Sequence, residues 1–378
     1  MDGALAYLLV APSSVRKGRF GPILSRLLSR SASELVAVQS IPFDSVAAAG
    51  AAAWIGGPPP RHVDPADWTR SVARSLTPVP GGPPNIPGVL LLFRGEGAWA
   101  ETIRLLGDFP GANTDDSLRG SFGELERDGD GRILFCEPVG FAAASAIAVR
   151  RDLARFADGM SAEARRTETT GKGAERTLVL VKPDNFRHGG GRPGHVADLF
   201  CRSGLALVGA RLVRFSVRQA LDFYGPVREA LRTRLDGVAG GLAAHELAGG
   251  ELGIGFGPEL TRELGRVLGP VYGEQRFRNL VKFMAGREPG AVGDPVPDEP
   301  GTETTLALVF EGPDAVSRMR AVLGPTDPSK APPGTVRREF GRTLLENAGH
   351  ASDSAGNAAR EIGLVQPWAC DLGRWSKP

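Results

Sequence analysis

The chain has 378 residues, enough for two or three domains at ~100–200 residues each. Lys and Arg number 45 against 43 Asp and Glu, so the basic excess of a nucleic-acid clamp is missing and nucleic acid is not an expected partner. Apolar residues make up 42%, yet no run approaches the ~20 that cross a membrane, so no membrane contact is expected either.

The apolar run Leu5–Ala11 has no basic residue ahead of it, unlike a secretory leader, and predicts a buried strand. A Pro-marked turn at Pro12, Gly21 and a helical pattern through Leu28 follow. The Pro/Gly-rich stretch from Gly56 through Gly88 reads as a surface loop, and Val89–Phe93 as a strand before a helical pattern ending at Gly107. The segments Ser117–Phe122 and Ile133–Phe141 complete this half. The polar stretch 159–174 lacks apolar periodicity and predicts a linker. Beyond it the order recurs. Leu178–Lys182 precedes Pro183, then come Gly194 and a helical pattern through Phe200. Leu306–Phe310 precedes a helical pattern ending at Gly324, and Thr335–Phe340 echoes Ser117–Phe122. One unit has been duplicated, which predicts domains at 1–158 and 175–370. Cys136, Cys201 and Cys370 have no paired spacing, which excludes a disulfide framework and a zinc site and predicts a reducing, cytoplasmic setting.

Within the second unit, strands are predicted at 176–181, 206–215 and 304–310, with a short strand leading to His350. Helices are predicted at 193–203, 217–224, 258–268, 277–284, 313–323 and 354–364. A polar loop spans 325–335 and another Pro/Gly-rich loop spans 286–301. Alternating strands and helices imply an α/β sandwich with helices on the sheet.

His350 lies between Asn347 and Ser352-Asp353-Ser354, with Ser354 placed to cap a helix. Glu361 follows eleven residues on, about three helical turns. A carboxylate beside an imidazole fixes its tautomer and raises its nucleophilicity. Arg320, Thr326, Lys330 and Arg337 precede it as donors suited to phosphate, and Lys182 sits at a strand end.

Together these residues resemble the nucleoside diphosphate kinase family. Lys182-Pro-Asp184 is similar to its first nucleotide-binding element. Gly324-Pro-Thr326 with Gly334-Thr-Val-Arg337 is similar to its phosphate loop, and Asn347 through Ser354 to its active-site signature. The resemblance implies an α+β sandwich built on a ferredoxin-like βαββαβ unit, here in two tandem copies. It implies ping-pong transfer of a γ-phosphate from ATP to nucleoside diphosphates through His350. Glu361 would support the His, and Lys182 would act in catalysis and binding. Arg320, Thr326, Arg337 and Asn347 would hold the nucleotide, Ser352 and Asp353 would support the signature, and Mg²⁺ would arrive with the phosphates without direct protein ligands. Family dimers imply that the first half packs on the second, and that the chain forms a homo-oligomer.

Two departures stand out. Tyr224 matches a family Tyr near the base, but the base-stacking position falls on Arg276, with Phe277 as the neighbouring aromatic able to stack. An insertion occupies about 226–271. The first half has Ala11 where the second has Lys182, no His in its signature region, and its one His, His62, in a Pro-rich loop. The competing reading is a nucleotide-binding regulatory or scaffold protein.

Overall fold

The computed structural model describes residues 4–57, 59, 63–77, 86–108, 116–159, 173–250, 255–290 and 295–377. Its strands are short runs of apolar residues whose alternate side chains enter opposite cores. In β1 (Leu5–Val10), Leu8 and Val10 join one core, while Tyr7 and Leu9 join the other. In the first half, α1 (Pro12–Arg16) and α2 (Phe20–Arg30) lead to β2 (Glu34–Ile41). Helices α3 (Ser45–Ile55) and α4 (Pro65–Leu76) precede β3 (Gly88–Arg94). Then come α5 (Ala98–Leu106), α6 (Leu118–Phe122), the hairpin β4 (Leu125–Arg127) and β5 (Ile133–Cys136), β6 (Gly140–Ala142) and α7 (Ala148–Gly159).

The second half repeats this plan with β7 (Glu175–Val181), α8 (Arg192–Cys201) and β8 (Ala206–Val213). Helices α9 (Val217–Arg234), α10 (Asp236–Gly249) and α11 (Pro258–Ala285) intervene before β9 (Thr305–Gly312). It closes with α12 (Ala315–Leu323), α13 (Val336–Phe340), β10 (Gly349–Ala351), α14 (Ala355–Val365) and α15 (Gly373–Ser376).

One sheet of eight strands runs β10-β7-β9-β8-β2-β3-β1-β6. Each half contributes four strands in the ferredoxin-like order, and the sequence of strands is a palindrome about the β8–β2 junction. The junction is short and antiparallel, with Gln39 opposite Arg211 and the Ala210 amide donating to Ser40 Oγ at 3.3 Å. Below it α2 and α8 pack backbone to backbone. A methyl group on Gly21 would collide with the backbone of Asp198, and one on Gly194 with the backbone of Ser25. One apolar core runs through both halves, from Leu8, Ile23 and Leu91 to Val179, Phe200 and Leu308.

Several expectations change. The chain divides into compact units at Met1–Val213 with Leu306–Pro378, and Arg214–Thr305, rather than at the repeat boundary. Both half-sheets and their shared core hold the first unit together, while the insertion helices pack on one another. Most of the expected linker, 160–172, and His62 lie outside the described residues. The expected 56–88 loop contains α4, started by the Asp64 cap and Pro65 and buried through Trp68, Val72 and Leu76. The short helix at 217–224 continues to Arg234. The two helices expected at 258–268 and 277–284 are one 28-residue helix that runs through Pro270. Gly265, Gly269 and Gly273 let that helix lie against Asp236 and the backbone of Leu231, an approach that fixes it on both sides of the proline. The C-terminal segment also reaches past the expected second domain: Leu372 is buried in the first half's core and Trp375 packs against it.

Candidate active site

β10 is an edge strand, paired antiparallel with β7 so that His350 faces Leu180. Behind it α14 begins at Ser354, whose hydroxyl accepts from the Asn357 amide. This helix brings Glu361 to the strand. Glu361 Oε2 lies 2.9 Å from His350 Nε2 and accepts a hydrogen bond from Ser352 Oγ at 2.7 Å. Glu361 and Ser352 are buried, while the imidazole is 21% exposed. A buried carboxylate with two fixed partners holds the ring and directs Nε2 inward. Asp353 is exposed, and the Asn357 amide donating at 2.6 Å holds its carboxyl below the usual range, with Arg320 adding to the effect.

The turn before His350 is built from both sides. Lys182 at the end of β7 donates its own amide to Ala348 O at 3.0 Å. Its Nζ donates to Leu345 O at 2.5 Å and to Asn347 Oδ1 at 2.8 Å. The Asn347 amide in turn reaches Thr326 O at 3.2 Å. Lys182 is buried, and burial pushes its ammonium down to about 8, partly offset by Asp184. Arg337 Nη1 and Nη2 donate to Gly324 O at 2.9 Å and Gly349 O at 3.2 Å. Arg320 and Thr326 are exposed beside this group, and Lys330 is exposed and 3.6 Å from Asp327.

The structure therefore gathers Lys182, Thr326, Arg337, Asn347, His350, Ser352 and Glu361 through shared hydrogen bonds. Two residues to which sequence reasoning assigned no individual role also belong to the site. Asp184 Oδ2 accepts from the Ala348 amide at 2.9 Å, and Asn185 donates to Ala348 O at 2.7 Å. Their signal was the strand-end Lys-Pro-Asp-Asn run, whose short polar side chains suit a turn.

Tyr224 and Phe277 belong to the other compact unit, and both are buried there. Phe277 is 1% exposed, with the Arg228 guanidinium 5.4 Å from its ring centre, so it is a core residue and offers no open face to a base. The Tyr224 ring packs on Phe223 at 4.9 Å. Arg276, half-buried, lies 6.0 Å from the Tyr272 ring centre.

The first half shows what this site becomes without its polar residues. Phe141 faces Leu9 in β6, as His350 faces Leu180 in β10. Ala11, Pro138 and Phe141 take the places of Lys182, Asn347 and His350, and Ala11 and Phe141 are buried in an apolar core. Asp152 follows Phe141 by the same eleven residues that separate Glu361 from His350. It now accepts from the Tyr7 hydroxyl at 3.1 Å, and burial raises the Tyr7 pKa well above its usual value.

Two ferredoxin-like half-sheets, with a histidine–carboxylate pair beside a buried lysine in one of them, define an α+β protein with one preserved polar site. The family model for nucleoside diphosphate kinase matches residues 300–367. A curated nucleoside diphosphate kinase of Pyrobaculum aerophilum is 30% identical over 199 residues, covering 50% of this chain and 92% of its own length. One from Staphylothermus marinus is 28% identical over 191 residues, again 50% and 92%. A solved structure of an NDP kinase from Pyrobaculum aerophilum matches at 29% identity and a TM-score of 0.33, covering 52% of this chain and 97% of that one. The chain belongs to the nucleoside diphosphate kinase family. No described helix is long and apolar enough to cross a membrane.

Proposed function

We propose that this chain is a nucleoside diphosphate kinase that moves the γ-phosphate of ATP to a nucleoside diphosphate through phospho-His350. The observation that carries the reading is the pair of His350 Nε2 and Glu361 Oε2 at 2.9 Å, with Ser352 on the same carboxylate. With Nε2 directed at Glu361, Nδ1 is the nitrogen that attacks phosphorus. Its lone pair forms the N–P bond as the bond from phosphorus to the bridging oxygen breaks, and the nucleoside diphosphate leaves with that electron pair. Glu361 stabilises the positive charge that the ring gains. The return step runs the same sequence onto the terminal phosphate of an acceptor diphosphate.

The reaction spreads negative charge over phosphate oxygens, so fixed cations lower its barrier. Arg320 on α12 and Lys182 at the end of β7 supply such charge, and the exposed Thr326 hydroxyl supplies a donor. Among the described residues no three His, Cys, Asp or Glu side chains gather into a metal cage. Mg²⁺ carried on the nucleotide phosphates would neutralise charge on the polyphosphate. Tyr224, Arg276 and Phe277 are left without a role in holding the base under this reading. Joining of the halves within one sheet supplies internally a contact that a dimer forms between chains, and self-association of whole chains into a homo-oligomer extends the same proposal.

Incubation of the full chain with γ-labelled ATP tests the reading. The expected result is an acid-labile, base-stable label on His350 that chases onto added nucleoside diphosphate. Nucleotide binding without any label would instead favour a regulatory or scaffold protein.

A further inference from the structure

The two halves share a backbone feature that phosphate chemistry does not require. Ala348 sits at φ +66°, in the left-handed region, and the Gly349 amide turns back to Asn347 O at 2.8 Å. In the first half Val139 sits at φ +61°, and the Gly140 amide turns back to Pro138 O at 2.6 Å. A β-branched residue in that region is an outlier and persists only where its surroundings over-determine it.

An arginine spans this turn in both halves. Arg119 donates through Nε to Pro138 O at 3.1 Å, through Nη1 to Gly107 O at 3.0 Å and through Nη2 to Gly140 O at 3.1 Å. Arg337 donates through Nη1 to Gly324 O and through Nη2 to Gly349 O. Gly107 and Gly324 end α5 and α12 with nearly the same dihedrals, φ 77° and ψ 173° against φ 82° and ψ 172°. The first half keeps this arginine, its forked geometry and its carbonyl targets where Ala11, Pro138 and Phe141 have removed the lysine, asparagine and histidine. A side chain kept in place after the phosphate-handling residues around it have gone is serving the backbone.

We propose that Arg337 is a positioning residue. By tying Gly324 at the end of α12 to the carbonyl of the peptide that joins Gly349 to His350, it fixes the strained turn and sets the imidazole against Glu361. This rests on His350 being the phosphate carrier, and it assigns the arginine a job apart from any contact with phosphate. A lone ammonium cannot replace the fork, because one donor group on a flexible stem does not span two carbonyls in fixed geometry.

The test uses the full chain as wild type, Arg337→Gln and Arg337→Lys, with Arg119→Lys as a control for the fold. The rate of His350 labelling at saturating ATP, the dissociation constant for ATP and the nitrogen NMR signals of the His350 ring without nucleotide are measured. Both Arg337 variants are expected to label ~10²-fold more slowly, the scale of a small misplacement of reacting groups, with the dissociation constant changed by less than ~3-fold. Their ring signals should shift as the Glu361 contact loosens, while Arg119→Lys lowers the melting temperature and leaves labelling unchanged. A dissociation constant weakened ~10²-fold at an unchanged labelling rate, restored by Arg337→Lys, would overturn the proposal and make Arg337 a charge for phosphate. A wild type that takes no label would overturn the kinase reading. In that case the ring signals still decide the positioning role: unshifted signals in both Arg337 variants refute it.

Discussion

At the two outer edges of the sheet the same strand carries opposite residues. β10 presents His350 to Glu361, and β6 presents Phe141 to a closed apolar core. The backbone is the same in both places, down to the left-handed residue before each strand. Ala11, Pro138 and Phe141 stand for Lys182, Asn347 and His350, and Ala143 and Asp152 for Ser352 and Glu361, which teaches that the fold does not need the polar residues of the second half's site. Burial of Phe141 and Ala11 contributes apolar area in the first half. In the second half Lys182 is buried at a desolvation cost, offset by bonds to Leu345 O and Asn347. The carboxylate is the instructive position. Asp152 takes the place of Glu361 and accepts from Tyr7 and Arg151, where a buried carboxylate without a donor would be strongly destabilising.

The largest effect should come from exchanging the two strand residues. His350→Ala is expected to lower turnover by ~10³-fold or more and to remove the covalent label, with the far-ultraviolet spectrum unchanged. Phe141→His should create no label, because the lysine and the asparagine are missing there and Ile103 holds the place of Arg320. Label on that variant would show that the first half lacks only its nucleophile.

Next comes the charge beside the site. Arg320→Ala should lower kcat/KM by ~10²-fold, the scale of removing one preorganised donor, and Lys330→Ala much less. Equal small losses would mean that the phosphates lie elsewhere.

A smaller effect concerns pH. Lys182 is pushed down to about 8 by burial, so it carries its charge below that pH and loses it above. The profile of kcat/KM should therefore fall on its alkaline side with an apparent pKa near 8, about tenfold per pH unit beyond it, and Lys182→Arg should move that limb upward. Stability should move the other way. Between about 8 and the ordinary value of 10.5 the unfolded chain binds more protons than the folded one, so Lys182's contribution to stability rises with pH. Ala11 offers no such limb to the first half.

The smallest effect on chemistry is expected at the seam. Gly194→Ala would push a methyl into the backbone of Ser25 and should cost about 1–3 kcal/mol of stability by thermal unfolding, with kcat within about twofold of wild type. A loss of activity larger than the loss of stability would show that the seam transmits strain to β10.

Local spacing made much of this legible. The apolar runs of β1, β3, β7 and β9 and their repeated order announce the repeated strand plan of the sheet, and the residues around His350 lie close enough in sequence for their helix and strand to follow. What failed depended on distant partners. Phe277 looks like any aromatic near a turn, and only the continuation of α11 through Pro270 and its packing on α9 bury it. Helix α4 carries a readable cap at Asp64 and apolar residues four apart, but the prolines and glycines on either side outweighed them. The arginine–carbonyl ties were invisible because carbonyl oxygens leave no mark in a sequence.

The close approach of α2 and α8 has one more consequence. In a pair of identical chains related by a twofold axis, every change near the axis occurs twice, and each residue must accept its own image. Within a single chain that restriction is lifted. Ser25 hydrogen-bonds to His195 at 3.0 Å, whereas the matching positions across the seam hold Asp198 and Pro22, a pair with no donor to offer. The two faces have become a lock and a key cut separately. An isolated second half meeting a copy of itself in the same geometry would set Asp198 of each copy against His195 of the other, a pair made twice where the joined chain has Ser25 against His195 once.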